Sequence, residues 1–139
     1  MKQLTIAPRI TKSEIRLLEE ELETVFPEYY FEFMKLYSGL GVLENRFQSD
    51  NEKIYEISSF CKMRVIYDYS KLFKEQGWGI KIPFAMDNGG WLYCISLDEE
   101  DKGIIYLHNV DWTDKQDAFE KVANSFEEFI NGLQSEEDV

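Results

Sequence analysis

The sequence predicts an α+β fold in which a central antiparallel β-meander carries helices from both ends of the chain. Three observations predict it. Residues 80–97, IKIPFAMDNGGWLYCISL, alternate in hydrophobicity on either side of Asp87-Asn88-Gly89-Gly90, the pattern of a β-hairpin closed by a glycine turn. A further apolar run at 104–110 follows the polar turn Asp98-Glu99-Glu100-Asp101-Lys102-Gly103 and adds a third consecutive strand. Outside this region the apolar residues recur every three or four positions instead, as Ile15, Leu18, Leu22 and Val25 near the start and Phe126, Phe129, Ile130 and Leu133 near the end.

Thr11-Lys12-Ser13-Glu14 has the spacing of a capping box, with Ile10 and Ile15 placed as a hydrophobic staple, so a first helix begins at Lys12. Glu19, Glu20, Glu21 and Glu23 read as its solvated face. Pro27 suits the first position of a second helix, on which Tyr30, Phe33, Met34 and Tyr37 share a face and which Gly39 or Gly41 ends. The short link between these helices predicts an antiparallel pair. From 41 to 60 the periodicity weakens, leaving strand fragments at 41–43 and 54–57. Val65, Tyr69, Leu72, Phe73 and Gln76 are spaced as one face of a third helix, stopped by Gly77 and Gly79 around Trp78.

In the hairpin, Pro83 has no N–H for a ladder bond, which predicts that the first strand lies at an edge there or begins after it. The second strand, with Trp91, Tyr93, Ile95 and Leu97 set against Leu92, Cys94 and Ser96, is apolar on both faces, as a strand covered on both sides must be. Residues 111–123 form a long polar connection with a short strand or turn at 119–122. Ser125-Phe126-Glu127-Glu128 repeats the capping-box pattern and opens the closing helix.

With 139 residues, 44% of them hydrophobic, the chain is the size of one domain and can bury a single core, so residues 1–139 are expected to form one domain with a short, frayed acidic tail at 135–139. The 27 acidic against 15 basic residues give a formal charge of -12, which repels nucleic acid phosphates and anionic membranes and attracts a basic partner. The two cysteines, Cys61 and Cys94, are too few for a disulfide framework, and the first ten residues lack the apolar stretch of a secretory signal. A cytoplasmic protein is expected, and no run of residues is long and apolar enough for a membrane span.

No familiar catalytic constellation emerges. A nucleophilic triad needs a base, and the single histidine, His108, lies within a strand pattern beside Tyr106 and Val110, as a structural or surface histidine does. Zinc requires clustered Cys and His, which the chain lacks, so no metal site and no cofactor are expected. The run Asp98 to Asp101 lacks the alternating ligand spacing of a calcium loop and reads as a solvated hairpin tip, while Gly89-Gly90 reads as a tight turn rather than an anion nest. Asp111, Asp114 and Asp117 recur at threes in a segment where no helix is predicted.

In this order the pieces resemble the SUKH superfamily, the Smi/Knr-type domains. The resemblance rests on the early amphipathic helix followed by Phe26-Pro27-Glu28-Tyr29-Tyr30-Phe31-Glu32-Phe33 and Ser38-Gly39, then Ile82-Pro83-Phe84-Ala85 with Asp87-Asn88-Gly89-Gly90, then Val122-Ala123-Asn124-Ser125-Phe126-Glu127-Glu128-Phe129-Ile130. Departures are Trp91, where many members have an acidic residue, Phe26-Pro27 for the usual Leu-Pro, and Ser38-Gly39 for Asn-Gly. The resemblance implies a non-enzymatic domain, most often a bacterial immunity protein encoded beside a toxin. Fungal relatives in cell-wall regulation suggest a general protein-binding platform.

The function so implied is neutralisation of a cognate toxin, basic and of the nuclease kind, by direct protein–protein binding. The alternatives are a regulatory scaffold for cellular proteins and, further off, a small metal-dependent hydrolase using the loop carboxylates. The expected partner surface is Glu99, Glu100, Asp101, Asp111, Trp112 and Asp114, with Trp112 as the anchor and the carboxylates accelerating association. These loops flank one predicted strand at opposite ends, roughly 23 Å apart at about 3.3 Å per residue, so one partner must span the strand to touch both.

Overall fold

The computed structural model of the protein describes residues 10–111 and 118–135. Helix α1 (Lys12–Leu22) opens with the full capping box: Thr11 accepts from the Glu14 amide, and the Glu14 carboxylate accepts from the Thr11 amide in return. Ile10 and Ile15 are both buried, as the staple requires. The next helix, α2 (Glu28–Tyr37), follows Pro27, which sits one position earlier than expected, as the extended residue just outside the helix. Its buried residues are Tyr30, Phe31 and Met34. The close helix neighbour of α1 is not α2 but α3 (Met63–Glu75). There Glu21 accepts from Tyr67 at 2.6 Å and pairs with Lys71 at 3.0 Å, while Lys74 donates to the Glu21 carbonyl.

The expected face of α3 is rotated. Ile66, Ser70 and Phe73 are buried, whereas Leu72 and Gln76 face outward. Val65, Tyr69 and Phe73 do lie within one stripe, but the helix continues that stripe through Ile66 and a serine, which a search for apolar residues passes over. Gly77 and Gly79, at φ +78° and +95°, end the helix as predicted.

Five strands form one antiparallel sheet in the order β3-β4-β5-β6-β7: β3 (Ser59–Phe60), β4 (Lys81–Met86), β5 (Leu92–Ser96), β6 (Ile105–His108) and β7 (Phe119–Ala123). The three expected strands are its centre, and the segment near 119–122, left open between a strand and a turn, forms one edge strand. Pro83 is tolerated for the reason anticipated, though the strand starts before it. Short β3 pairs only with Ala85 and Met86, so Pro83 lies beyond its end, and the ladder with β5 slips by one residue between Pro83 and Ala85. The carbonyl of Pro83 accepts instead from the buried Tyr30 hydroxyl at 2.8 Å.

A separate ribbon pairs β1 (Arg46–Gln48) with β2 (Ile54–Glu56). This corrects the expected strand at 41–43, which contributes only a single bridge from Gly41 to Ser59. Leu43 is exposed there, while Phe47 supplies the buried side chain. After β7, α4 (Phe126–Asn131) starts at Ser125, whose hydroxyl accepts from the Glu128 amide.

Pairing register sorts the sheet into two faces. Leu92, Cys94, Tyr106, His108 and Phe119 share one, where Tyr69 and Phe73 of α3 pack. Tyr93, Ile95, Ile105 and Leu107 share the other, where the ring of Phe129 of α4 packs tilted on Tyr93 at 5.2 Å and edge-on to Phe84 at 5.5 Å. Every residue of β5 is buried, as its two-faced apolar pattern demanded. No helix among the described residues is long and apolar enough to cross a membrane.

Candidate functional site

On the α4 side of the sheet, the β1–β2 ribbon and the turn after β4 enclose a groove of about 490 Å³. The turn holds itself open by local chemistry. Asp87 Oδ1 accepts from the amides of Gly89 at 2.9 Å and Trp91 at 2.8 Å, and Gly90 takes φ +91°, which a side chain would resist. Trp91 is thereby presented at the groove, half-buried, while Tyr93 and Leu107 line it from the sheet. The opposite wall is β2. Its Tyr55 donates a hydrogen bond to Glu120 of β7, and Glu120 also accepts from Lys53 at 2.6 Å. Arg46 and Glu56 pair across the ribbon, Asn88 donates to Glu56 at 3.3 Å, and the Tyr93 hydroxyl donates to the Glu56 carbonyl at 2.6 Å.

Each shift in ionisation follows from these contacts. Burial, reinforced by the Glu120 carboxylate, pushes the Tyr55 phenol up. Burial likewise raises Tyr93, beside Asp87, Tyr55, Glu56 and Glu120. For Glu120 partial burial works upward, but the bonds from Lys53 and Tyr55 outweigh it and hold the carboxyl below its usual range. The groove thus keeps its tyrosines neutral and Glu120 charged at neutral pH.

The imidazole of His108 and the thiols of Cys61 and Cys94 lie elsewhere and are buried. His108 is buried among Phe73, Trp78 and Phe119, at 4.6, 5.8 and 4.8 Å between ring centroids, and its Nδ1–H donates to the Ala118 carbonyl at 3.0 Å. Both cysteines are buried free thiols, and burial raises both out of the reactive range. Among the described residues no three His, Cys, Asp or Glu side chains converge as metal ligands do.

Burial also lowers the proton affinity of His108, the Ala118 bond opposing it more weakly. The native state therefore resists a proton that the unfolded chain accepts near the ordinary value of 6.5, and stability declines as pH falls below 6.5 toward the lower native value. Glu21 and Glu120, both lowered from 4.5, add losses only below that value. Urea unfolding between pH 7 and 5 should show the first decline, and His108→Gln should flatten it while leaving the carboxylate limb. An unchanged slope in that variant would assign it elsewhere.

The family model described as SMI1 / KNR4 family (SUKH-1) matches residues 9–132. The chain belongs to the SMI1/KNR4 family. No curated protein matches it. The SUKH-1 match contains every wall of the groove and both capped helix starts, at Thr11 and Ser125. Trp91, the departure noted from sequence, stands at the mouth of the groove of this SUKH-1 domain.

The expected partner surface is distributed differently. Glu99, Glu100 and Asp101 share one 3₁₀ turn between β5 and β6, and Asp111 follows β6 at its other end. Glu99, Glu100 and Asp111 are exposed, but Asp101 faces inward and accepts from Ser96 at 2.5 Å and Tyr106 at 2.6 Å. Asp98, read as part of a solvated tip, turns inward onto Lys81 at 2.7 Å. Trp112 and Asp114 lie outside the described residues, as does the tail beyond Ser135. Sequence reasoning missed Tyr55, Glu56 and Glu120. Glu120 and Tyr55 are 65 positions apart, and only the docking of the ribbon on β7 joins them.

Proposed function

We propose that this SUKH-1 domain is a non-enzymatic binding protein that neutralises a toxin by direct protein–protein contact in the bacterial cytoplasm. The observation that carries the reading is the family match across 9–132, because the SUKH resemblance implies immunity proteins as the commonest bacterial role. The groove supplies a concave, mixed aromatic and polar surface of the kind that anchors a partner. The charge of -12 favours a basic toxin such as a nuclease and speeds its encounter. In this reading the exposed Glu99, Glu100 and Asp111 steer association from outside the groove, and Trp112 and Asp114 are further contact residues of the proposal.

The test is co-expression with the product of the neighbouring gene. Lethality of that product, relieved by this protein and accompanied by a co-purifying complex, is the expected result. Lethality that persists beside abundant soluble protein overturns the reading for that pair. A stable complex with a cellular protein, without protection from any toxin, would instead favour a regulatory scaffold.

A further inference from the structure

The groove already contains a cation of its own. Lys53 Nζ lies 5.0 Å from the centre of the Tyr55 ring while bonding Glu120 at 2.6 Å, so the site combines an aromatic face and a carboxylate around an ammonium. That ammonium is weakly held. The Lys53 and Glu120 side chains are 52% and 44% exposed, and an ion pair so open to solvent is screened and holds its lysine weakly. Glu120 itself is fixed by the Tyr55 hydroxyl whatever Lys53 does. Beside it stand Trp91 and Asp87 on the facing wall, and the half-exposed Ile54 on the near one.

From this geometry we infer that the partner enters the groove with a basic segment, an arginine or lysine side chain displacing Lys53 from Glu120 and packing against Trp91. The inference rests on the reading of the chain as a partner-binding domain and names the chemistry of what it binds. Three carboxylates against two cations line the groove, Glu56, Asp87 and Glu120 against Arg46 and Lys53, so removing Lys53 from the carboxylate leaves an attractive site for a foreign cation. Arginine suits it better than lysine, because a planar guanidinium can stack on the indole while its N–H fork meets the carboxylate. Lys53 then acts as an internal competitor, which predicts an effect opposite to that of an ordinary stabilising contact.

The test titrates the intact protein, followed by amide NMR at low salt, with a capped Gly-Arg-Gly-Arg-Gly peptide and with its counterpart carrying citrulline for arginine. The arginine peptide should shift Tyr55, Trp91 and Glu120, and the citrulline peptide should not. Lys53→Ala should tighten binding about two- to fivefold by removing the competitor. Glu120→Gln, which keeps shape and hydrogen-bonding capacity, should weaken it about tenfold through loss of a charge-assisted bond. Dispersed spectra of both variants establish that they are folded. Equal shifts from the two peptides, shifts gathered at Glu99 and Glu100 instead, no shifts at all, or unchanged or weaker binding by Lys53→Ala each overturn the inference. No toxin enters this experiment, so its failure leaves a positive co-expression result standing, and a failed co-expression leaves the titration to judge the groove.

Discussion

Asp98→Ala is expected to destabilise the protein by about 3–5 kcal/mol, because it strands a buried charge. The Lys81 side chain is only 3% exposed and points across the end of the sheet to Asp98 at 2.7 Å, with the Trp78 carbonyl as a second acceptor at 3.0 Å. The rings of Tyr106 and Phe119 lie 5.7 and 5.5 Å from the ammonium. Asp98 also accepts the Ile80 amide at 2.9 Å, so the carboxylate both neutralises the lysine and pins the strand entrance. The backbone has been shaped to admit it. A Cβ on Gly79 would sit 2.2 Å from the Asp98 carboxylate, and the glycine also holds φ +95°. Removing both charges should cost less than removing one, so Lys81→Met combined with Asp98→Ala should recover part of the loss. Urea midpoints at unchanged m-value measure each variant. A cost for Asp98→Ala under about 1 kcal/mol would mean that water reaches Lys81 and that the pair behaves as a surface bridge.

Phe129→Ala should cost a similar amount, about 3–5 kcal/mol, by opening a cavity where three parts of the fold meet. The ring is fully buried, 4.8 Å from Phe47 of the ribbon and within stacking distance of Phe84 and Tyr93 on the sheet. The space around it cannot collapse readily. Gly132 already lies so close to Phe47 that an added Cβ would meet its ring at 2.9 Å. A two-stranded ribbon is marginal alone, and this one is held by Phe129, by the backbone pairing of Arg46 with Gln134, and by the Tyr55 and Tyr93 hydroxyls. The loss should therefore be uneven. Hydrogen exchange at Phe47 and Tyr55 should accelerate more than at Tyr93 and Ile95, whose strand keeps both sheet neighbours. Uniform acceleration would show that ribbon and sheet open as one unit.

The capping box at Thr11, the serine cap at Ser125, the hairpin and the meander were legible because each is local. A helix start is written within four residues, and a strand reveals its period within six. For His108 the strand pattern left a structural and a surface role open, and its burial decided for the structural one. Misreadings came where tertiary packing overrode local hydrophobicity: Val42 and Leu43 looked like a strand, but the chain exposes Leu43 and pairs Arg46–Gln48 instead. Ser70, polar and fully buried in the middle of α3, hid the true face of that helix.

For the acidic turn the limit was of another kind. Asp98, Glu99, Glu100 and Asp101 look alike in sequence, yet the fold turns Asp98 toward Lys81 and Asp101 toward Ser96 and Tyr106, leaving Glu99 and Glu100 to solvent. By itself the sequence determined the α+β class, the order of the helices and central strands, the strong acidity, and the family. Only the tertiary structure decided which carboxylates are structural, and only it assembled Tyr55, Trp91 and Glu120 around one groove. Periodicity records which face of an element meets the core. It carries no information on which distant element will stand opposite a given side chain, and a groove is made of such oppositions.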